Sequence, residues 1–265
     1  HPDDDHIGGF VHILEDLQAG KLYDICFNCL WVNDPTKHEF VPNDVQRIQT
    51  QKSLDARLKC VYNYKEDSKK NLLDLIDSAG IARTEVFAGD YLDEPQITII
   101  SPTRDFYESL LPKFRNKLNF HWALEALEEN SYSSKDDISD ETTLSKTLDD
   151  ATDDTSAHNQ SSIVFLLETD EKQKFLFTGD AGRDAFNHVP QTLLGKVKDV
   201  TWMKVPHDGS KHNLDSTIIK HVNPEIAYIS TEKQGKYLNR STVFALKKNG
   251  TKVRIPDQGR PVIPA

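Results

Sequence analysis

The sequence is poor in the features that mark several large protein classes. Cysteine occurs three times in 265 residues, as Cys26, Cys29 and Cys60. An odd number at irregular spacing is no disulfide framework and fits a reducing, cytoplasmic compartment. No apolar run approaches the roughly 20 residues that cross a bilayer, so no membrane segment is expected. Basic residues are outnumbered: 32 Lys and Arg against 42 Asp and Glu give a formal net charge of -10. That balance excludes a basic nucleic-acid footprint spread over the whole surface, though not a local one. Lys204, Lys211 and Lys220 are close enough in sequence to supply such a patch. The mean hydropathy is -0.58, which suits a water-exposed globular chain with polar insertions. There is neither an initiator Met nor a visible signal peptide.

What is present alternates between helical and strand-like patterns. HPDDDHIGG (1–9) reads as a loop, with Gly8 and Gly9 letting the backbone turn tightly. FVHILEDLQAG (10–20) has helical spacing and a C-terminal Gly. KLYDICFNCLWV (21–32) reads as a strand that buries Cys26 and Cys29 as structural cysteines, because a zinc knuckle needs a second ligand pair. NLLDLIDSAG (71–80) is a second helix, and QITIISP (96–102) a strand ended by proline. After residue 160 the order is a hairpin, SSIVFLLE and KFLFTGD around TDEKQ, then strand, helix, strand, helix, strand. This alternation predicts an α/β layered fold, taken as one domain over 1–265. Residues 126–157 are acidic and Ser/Thr-rich, and are expected to be a surface insertion without fixed structure.

Three stretches carry imidazole and carboxylate together. HPDDDH offers His1, Asp3, Asp5 and His6, an N/O ligand set suited to zinc, manganese or iron. An acidic helix cap would explain the aspartates without a metal, but not the flanking histidines. FLFTGDAG puts Asp180 at a strand end after a glycine, and WMKVPHDGSKHN does the same for His207 and Asp208. Ligands in layered α/β proteins gather at such strand ends.

Taken in order, HPDDDHIGG, NQSSIVFLL, FTGDAG and VPHDGSKHN resemble the motifs of the metallo-β-lactamase fold superfamily, and in detail its ComEC-like, competence-protein branch. PEIAYIST and ALKKNGTKV are similar to that branch's closing strand and helix. The resemblance runs from His1 to about Val253. It implies an αββα sandwich whose N-terminal strands are lacking in this chain. It also implies two divalent ions, zinc or manganese. His1 and Asp3 would hold one, Asp5 and His6 the other, Asp180 would bridge them, and His207 would complete the second site. A further family histidine would fall near His158 or Asn159. His188 and His212 read as surface residues.

The implied activity is phosphodiester hydrolysis by a metal-activated hydroxide, on a nucleotide or DNA. Asp5 or Asp208 would handle a proton, and Lys211 would neutralise a phosphate. Hydrolysis of another ester, a lactone or an amide is an alternative. The chain departs from the branch in two places. It has His207-Asp208-Gly209-Ser210 where the branch reads H-H-G-S, and Tyr237 or Asn239 where the branch has a late His-Pro pair. These departures fit a second alternative, a weakened or inactive sensing or scaffold module, while the intact core ligands favour a working enzyme. Members of this branch occur in multi-component bacterial defence systems, which implies a protein partner in a larger complex.

Overall fold

The computed structural model describes residues 1–38, 51–64, 69–114, 141–231 and 237–256. The chain forms two compact units, one made of His1–Val86 with Glu108–Asp137 and the other of Phe87–Tyr107 with Ile138–Ala265. No helix among the described residues is long and apolar enough to cross a membrane.

The first unit starts with helix α1 (Asp4–Gln18), which begins well before the expected Phe10. Glycines are poor helix formers, which made Gly8-Gly9 read as a loop. The apolar face formed by Ile7, Val11 and Leu14 overrides them, because those three side chains are buried. Gly8 also faces Tyr64 so closely that an added Cβ would stand 3.3 Å from the ring. Asp4 and Asp5 occupy the first turn, where carboxylates suit the helix dipole. The helix ends as expected, with Gly20 at φ +68° after the last turn.

Strand β1 is only Cys29–Trp31, followed by helices α2 (Gln51–Lys59) and α3 (Leu72–Ser78) and strand β2 (Ala82–Thr84). β1 and β2 pair in parallel, with Leu30 opposite Arg83. Beyond the strands Asn33 continues the ladder with its side chain. Its amide donates to the Val86 carbonyl at 3.0 Å and its oxygen accepts from the Val86 N–H at 2.8 Å. Because so little of 21–32 is strand, Cys26 and Cys29 are both exposed, and the expected burial of that pair does not occur.

The second unit is a seven-stranded sheet in sequence order. Its strands are β3 (Tyr91–Leu92), β4 (Gln96–Ser101), β5 (Val164–Glu168), β6 (Lys174–Phe177), β7 (Trp202–Lys204), β8 (Ile226–Tyr228) and β9 (Lys252–Arg254). β3 to β6 run antiparallel and β6 to β9 parallel. The α/β class read from the sequence is therefore present, and β5–β6 is the expected hairpin. Leu166, Leu176, Met203 and Ala227 face one another across four strands and are fully buried. The alternate residues Phe165, Phe177, Trp202 and Tyr228 form a half-buried aromatic row on the opposite face. Helix α4 (Arg104–Leu110) follows β4.

Part of the acidic stretch is ordered, contrary to expectation. Residues 126–140 lie outside the described residues, but Glu141–Asp149 form helix α5 with Leu148 fully buried. Short helix α6 (Ala157–Gln160) leads into β5. Helices α7 (Arg183–Asn187) and α8 (Gln191–Leu194) join β6 to β7. Helix α9 (Ser216–Val222) joins β7 to β8, and α10 (Arg240–Lys248) joins β8 to β9.

Candidate functional site

The parallel pairing of β6 and β7 brings two of the three motifs together in the second unit. Both strands end on the same side, so the loops Thr178–Asp180 and Val205–Asp208 lie next to one another. The Thr178 hydroxyl donates to the Lys204 carbonyl at 2.8 Å, and the His207 N–H to the Gly179 carbonyl at 3.3 Å. Gly179 is at φ +53°, and an added Cβ would stand 3.0 Å from Ser162. That close approach lets the Ser162 hydroxyl accept the Asp180 N–H at 3.1 Å.

The turn at His207 is a strained one. His207 (φ 46°) and Asp208 (φ 50°) are consecutive left-handed residues, followed by Gly209 at φ 88°. Non-glycine residues in that region cost about 1–3 kcal/mol each and concentrate at functional sites. Asp180 is buried, and its Oδ1 lies 3.7 Å from the Lys204 ammonium. Lys204 also lies 4.0 Å from Asp208 and donates to the Gly179 carbonyl at 3.0 Å. Asp208 accepts a short hydrogen bond from the Ser230 hydroxyl.

His207 is oriented by a residue that the sequence reading left inside the acidic insertion. Its Nδ1 lies 3.3 Å from Oδ2 of Asp154. That oxygen accepts from Asn159 at 2.8 Å and Asn213 at 3.0 Å, while Oδ1 accepts the Ser156 N–H at 2.8 Å. Burial pulls the His207 imidazole down, but the Asp154 hydrogen bond and the charges of Asp180, Asp154 and Asp208 outweigh it and hold it above its ordinary value. Burial pushes the Asp154 carboxyl up, yet bonds from His207, Asn159 and Ser156 keep it below the usual range. The Tyr237 ring stands 4.4 Å from the His207 ring.

Other expected residues are placed less centrally. His158 is buried on α6, and it is its neighbour Asn159 whose side chain reaches Asp154 and lies 3.5 Å from His207. Lys211 is half-buried, and its carbonyl accepts from Arg183. His188 is exposed and stacks on Phe106. His212 is half-buried rather than a surface residue, with Nδ1 2.5 Å from the Thr152 carbonyl, and burial pulls it below its ordinary range.

In the first unit the HPDDDH segment is half helix. The His1 side chain is 1% exposed, with Nδ1 3.4 Å from Asp3 Oδ2 and its ring 3.9 Å from the His6 ring. Asp3 is the N-cap residue of α1 but makes no capping bond with its side chain. Asp5 is 75% exposed and stands 3.8 Å from His6. Helical geometry thus replaces the alternation that would have turned His1, Asp3 and Asp5 the same way.

The donors suit a divalent cation. All are imidazole nitrogen or carboxylate oxygen, which serves zinc and manganese alike. An imidazole that meets a carboxylate through one ring nitrogen is also the arrangement that orients metal-ligating histidines. Compared with protein-family models, curated proteins and solved structures, the chain matches none.

Proposed function

We propose that the protein is a divalent-metal-dependent hydrolase acting on phosphodiesters, with nucleotides or DNA as substrate. The observation that carries this reading is the group at the ends of β6 and β7, where His207 is oriented by buried Asp154 beside Asp180 and Asp208. The metallo-β-lactamase-like sandwich is part of the proposal, supported by the order of the four motifs and their position at strand ends. The assignment of ligands is made within each unit, as His1, Asp3, Asp5 and His6 in the first and Asp180 and His207 in the second. It rests on donor chemistry and motif order alone.

Two divalent cations would supply a lowered water pKa and charge stabilisation on substrate oxygens. The chain's own residues do the rest. Asp154 holds the His207 ring in place, Lys204 offsets the charge of the Asp180 and Asp208 carboxylates, and Asp208 or Asp5 takes up a proton. Lys211 binds a substrate phosphate.

Elemental analysis of protein supplied with zinc or manganese should find about two ions per chain. Chelator should abolish cleavage of bis(p-nitrophenyl) phosphate and of single-stranded DNA, and so should Asp180→Ala. A metal-free protein, or full activity in Asp180→Ala, overturns the reading. A second reading, a scaffold or sensing module, has its own support: the Lys204 ammonium already faces Asp180 at 3.7 Å. Metal-free, inactive but folded protein would favour it. Hydrolysis of an ester, lactone or amide without phosphodiester cleavage would point to the remaining alternative.

A further inference from the structure

The acidic stretch that ends at residue 157 is fastened within the second unit by a connected set of bonds. Arg183 is buried and donates to the carbonyls of Leu148 and Ala151, and its guanidinium lies 3.0 Å from Asp153. The same guanidinium donates to the carbonyls of Lys211 and Leu214, in the loop that follows His207. The Asp154 N–H donates to the His212 carbonyl at 3.1 Å. Gln160 donates to the Asp154 carbonyl at 2.7 Å, while its oxygen accepts the Ala185 N–H at 2.9 Å. A solvated acidic loop gains nothing from such fixation, because ordering each residue costs conformational entropy. These bonds fix the backbone at and before Asp154, whose carboxylate lies 3.3 Å from the His207 ring.

We propose that Asp154 is a positioning residue for His207, fixing the ring and its Nδ1–H tautomer so that Nε2 is presented as the ligand or proton-handling atom. Asn159 and Asn213 donate to the oxygen that faces the imidazole, and so fix the carboxylate in turn. The inference deepens the hydrolase reading and rests on it for the use to which Nε2 is put. The orientation itself is a property of the metal-free chain.

The test uses full-length, metal-free protein with 15N-labelled histidine, at a pH high enough for neutral imidazole. Long-range 1H–15N spectra, with His207 assigned through His207→Gln, should show the proton on Nδ1. Asp154→Asn should move His207 to the Nε2–H form or to a mixture, while the remaining histidines keep their signals. Zinc affinity, measured by competition with a chromophoric chelator, should fall about 10–100-fold. Asp154→Glu should restore part of both. If Asp154→Asn does not fold, Asn159→Ala carries the test and should loosen the tautomer preference. An unchanged His207 tautomer in a folded variant overturns the proposal, whatever the hydrolysis assays show. Conversely, a tautomer that switches in a protein without hydrolytic activity sinks the hydrolase reading and leaves the positioning role standing.

Discussion

The Asp154 carboxylate lies 3.3 Å from the His207 imidazole. The aspartate comes from the Asp-rich run ahead of α6 and the histidine from the strained turn after β7. Each is held from behind. Asp154 has the Asn159 and Asn213 amides on one oxygen and the Ser156 N–H on the other, and the His207 backbone donates to Gly179. A pair fixed on both sides has little freedom to lose when a ligand arrives, which favours binding by preorganisation.

Arg183 is the main fastening of that acidic run. Four carbonyls accept from its guanidinium, those of Leu148, Ala151, Lys211 and Leu214. Arg183→Met leaves these acceptors without their donor, and a loss of about 3–5 kcal/mol is expected for a broken buried network of this kind. Arg183→Lys should recover only part, because an ammonium cannot span the fork. Urea unfolding measures both. A loss below about 1 kcal/mol in Arg183→Met would contradict the role.

Gly182 has a smaller task in the same network. Its backbone is compatible with any residue, but an added Cβ would stand 2.0 Å from Nε2 of Gln160. Gly182→Ala therefore displaces the amide that bridges the Asp154 carbonyl and the Ala185 N–H. The expected destabilisation is about 1–3 kcal/mol, the range for overpacking with a lost buried hydrogen bond. Hydrogen exchange at the Ala185 amide should quicken with it. Unchanged protection there would show that Gln160 relocates without consequence.

In the first unit the acid sensitivity should centre on Asp34. Burial pushes its carboxyl up, but bonds from Thr36 and Arg83 outweigh this and hold it below the usual carboxylate range. The Arg83 guanidinium lies 2.7 Å away. A depressed folded pKa gives stability that is present above the unfolded value and lost as pH falls through the folded one. Asp34→Asn should cost about 2 kcal/mol at pH 7, since a charged acceptor is lost to a partly buried arginine. The gap from the unaltered protein should narrow below about pH 4. Urea unfolding at several pH values measures this, and a gap that stays constant down to pH 3 would refute it.

The exposed thiols give a direct chemical check. Cys26 and Cys29 are exposed and Cys60 is half-buried. In folded protein, iodoacetamide should label the first two well before the third. Cys26→Ser and Cys29→Ser should each cost less than about 1 kcal/mol, as surface substitutions do, and leave metal content unchanged. Slow labelling of the pair would restore the buried-strand reading of 21–32.

How far these features could be read from the residues depends on the range of the forces behind them. The β5–β6 hairpin was legible because alternating apolar residues and a polar turn are local signals, and so was Gly20, whose φ of +68° needs a residue without Cβ. Asp180 and His207 were legible as strand-end residues, since a Gly or Pro marks the end of each run. The start of α1 was not, because tertiary burial of Ile7 overrides two weak helix formers. Nor was Asp154, whose role comes from Asn213 and His207 more than fifty positions downstream while its neighbours read as a solvated acidic run.

Backbone strain and chemistry can be separated at Asp208. Its φ of 50° disfavours most side chains, while glycine adopts it freely and asparagine tolerates it well. Its carboxylate accepts from Ser230 and lies 4.0 Å from Lys204, contacts that are partly exposed and worth little. Stability should therefore follow the backbone: Asp208→Gly and Asp208→Asn near the unaltered protein, and Asp208→Ala about 1 kcal/mol below Asp208→Gly. Hydrolysis, if the carboxylate handles a proton, should follow the charge instead and fall in all three variants alike. Thermal unfolding and the bis(p-nitrophenyl) phosphate assay give the two rankings. Activity that tracks stability across the series would mean that the turn matters and the carboxylate does not.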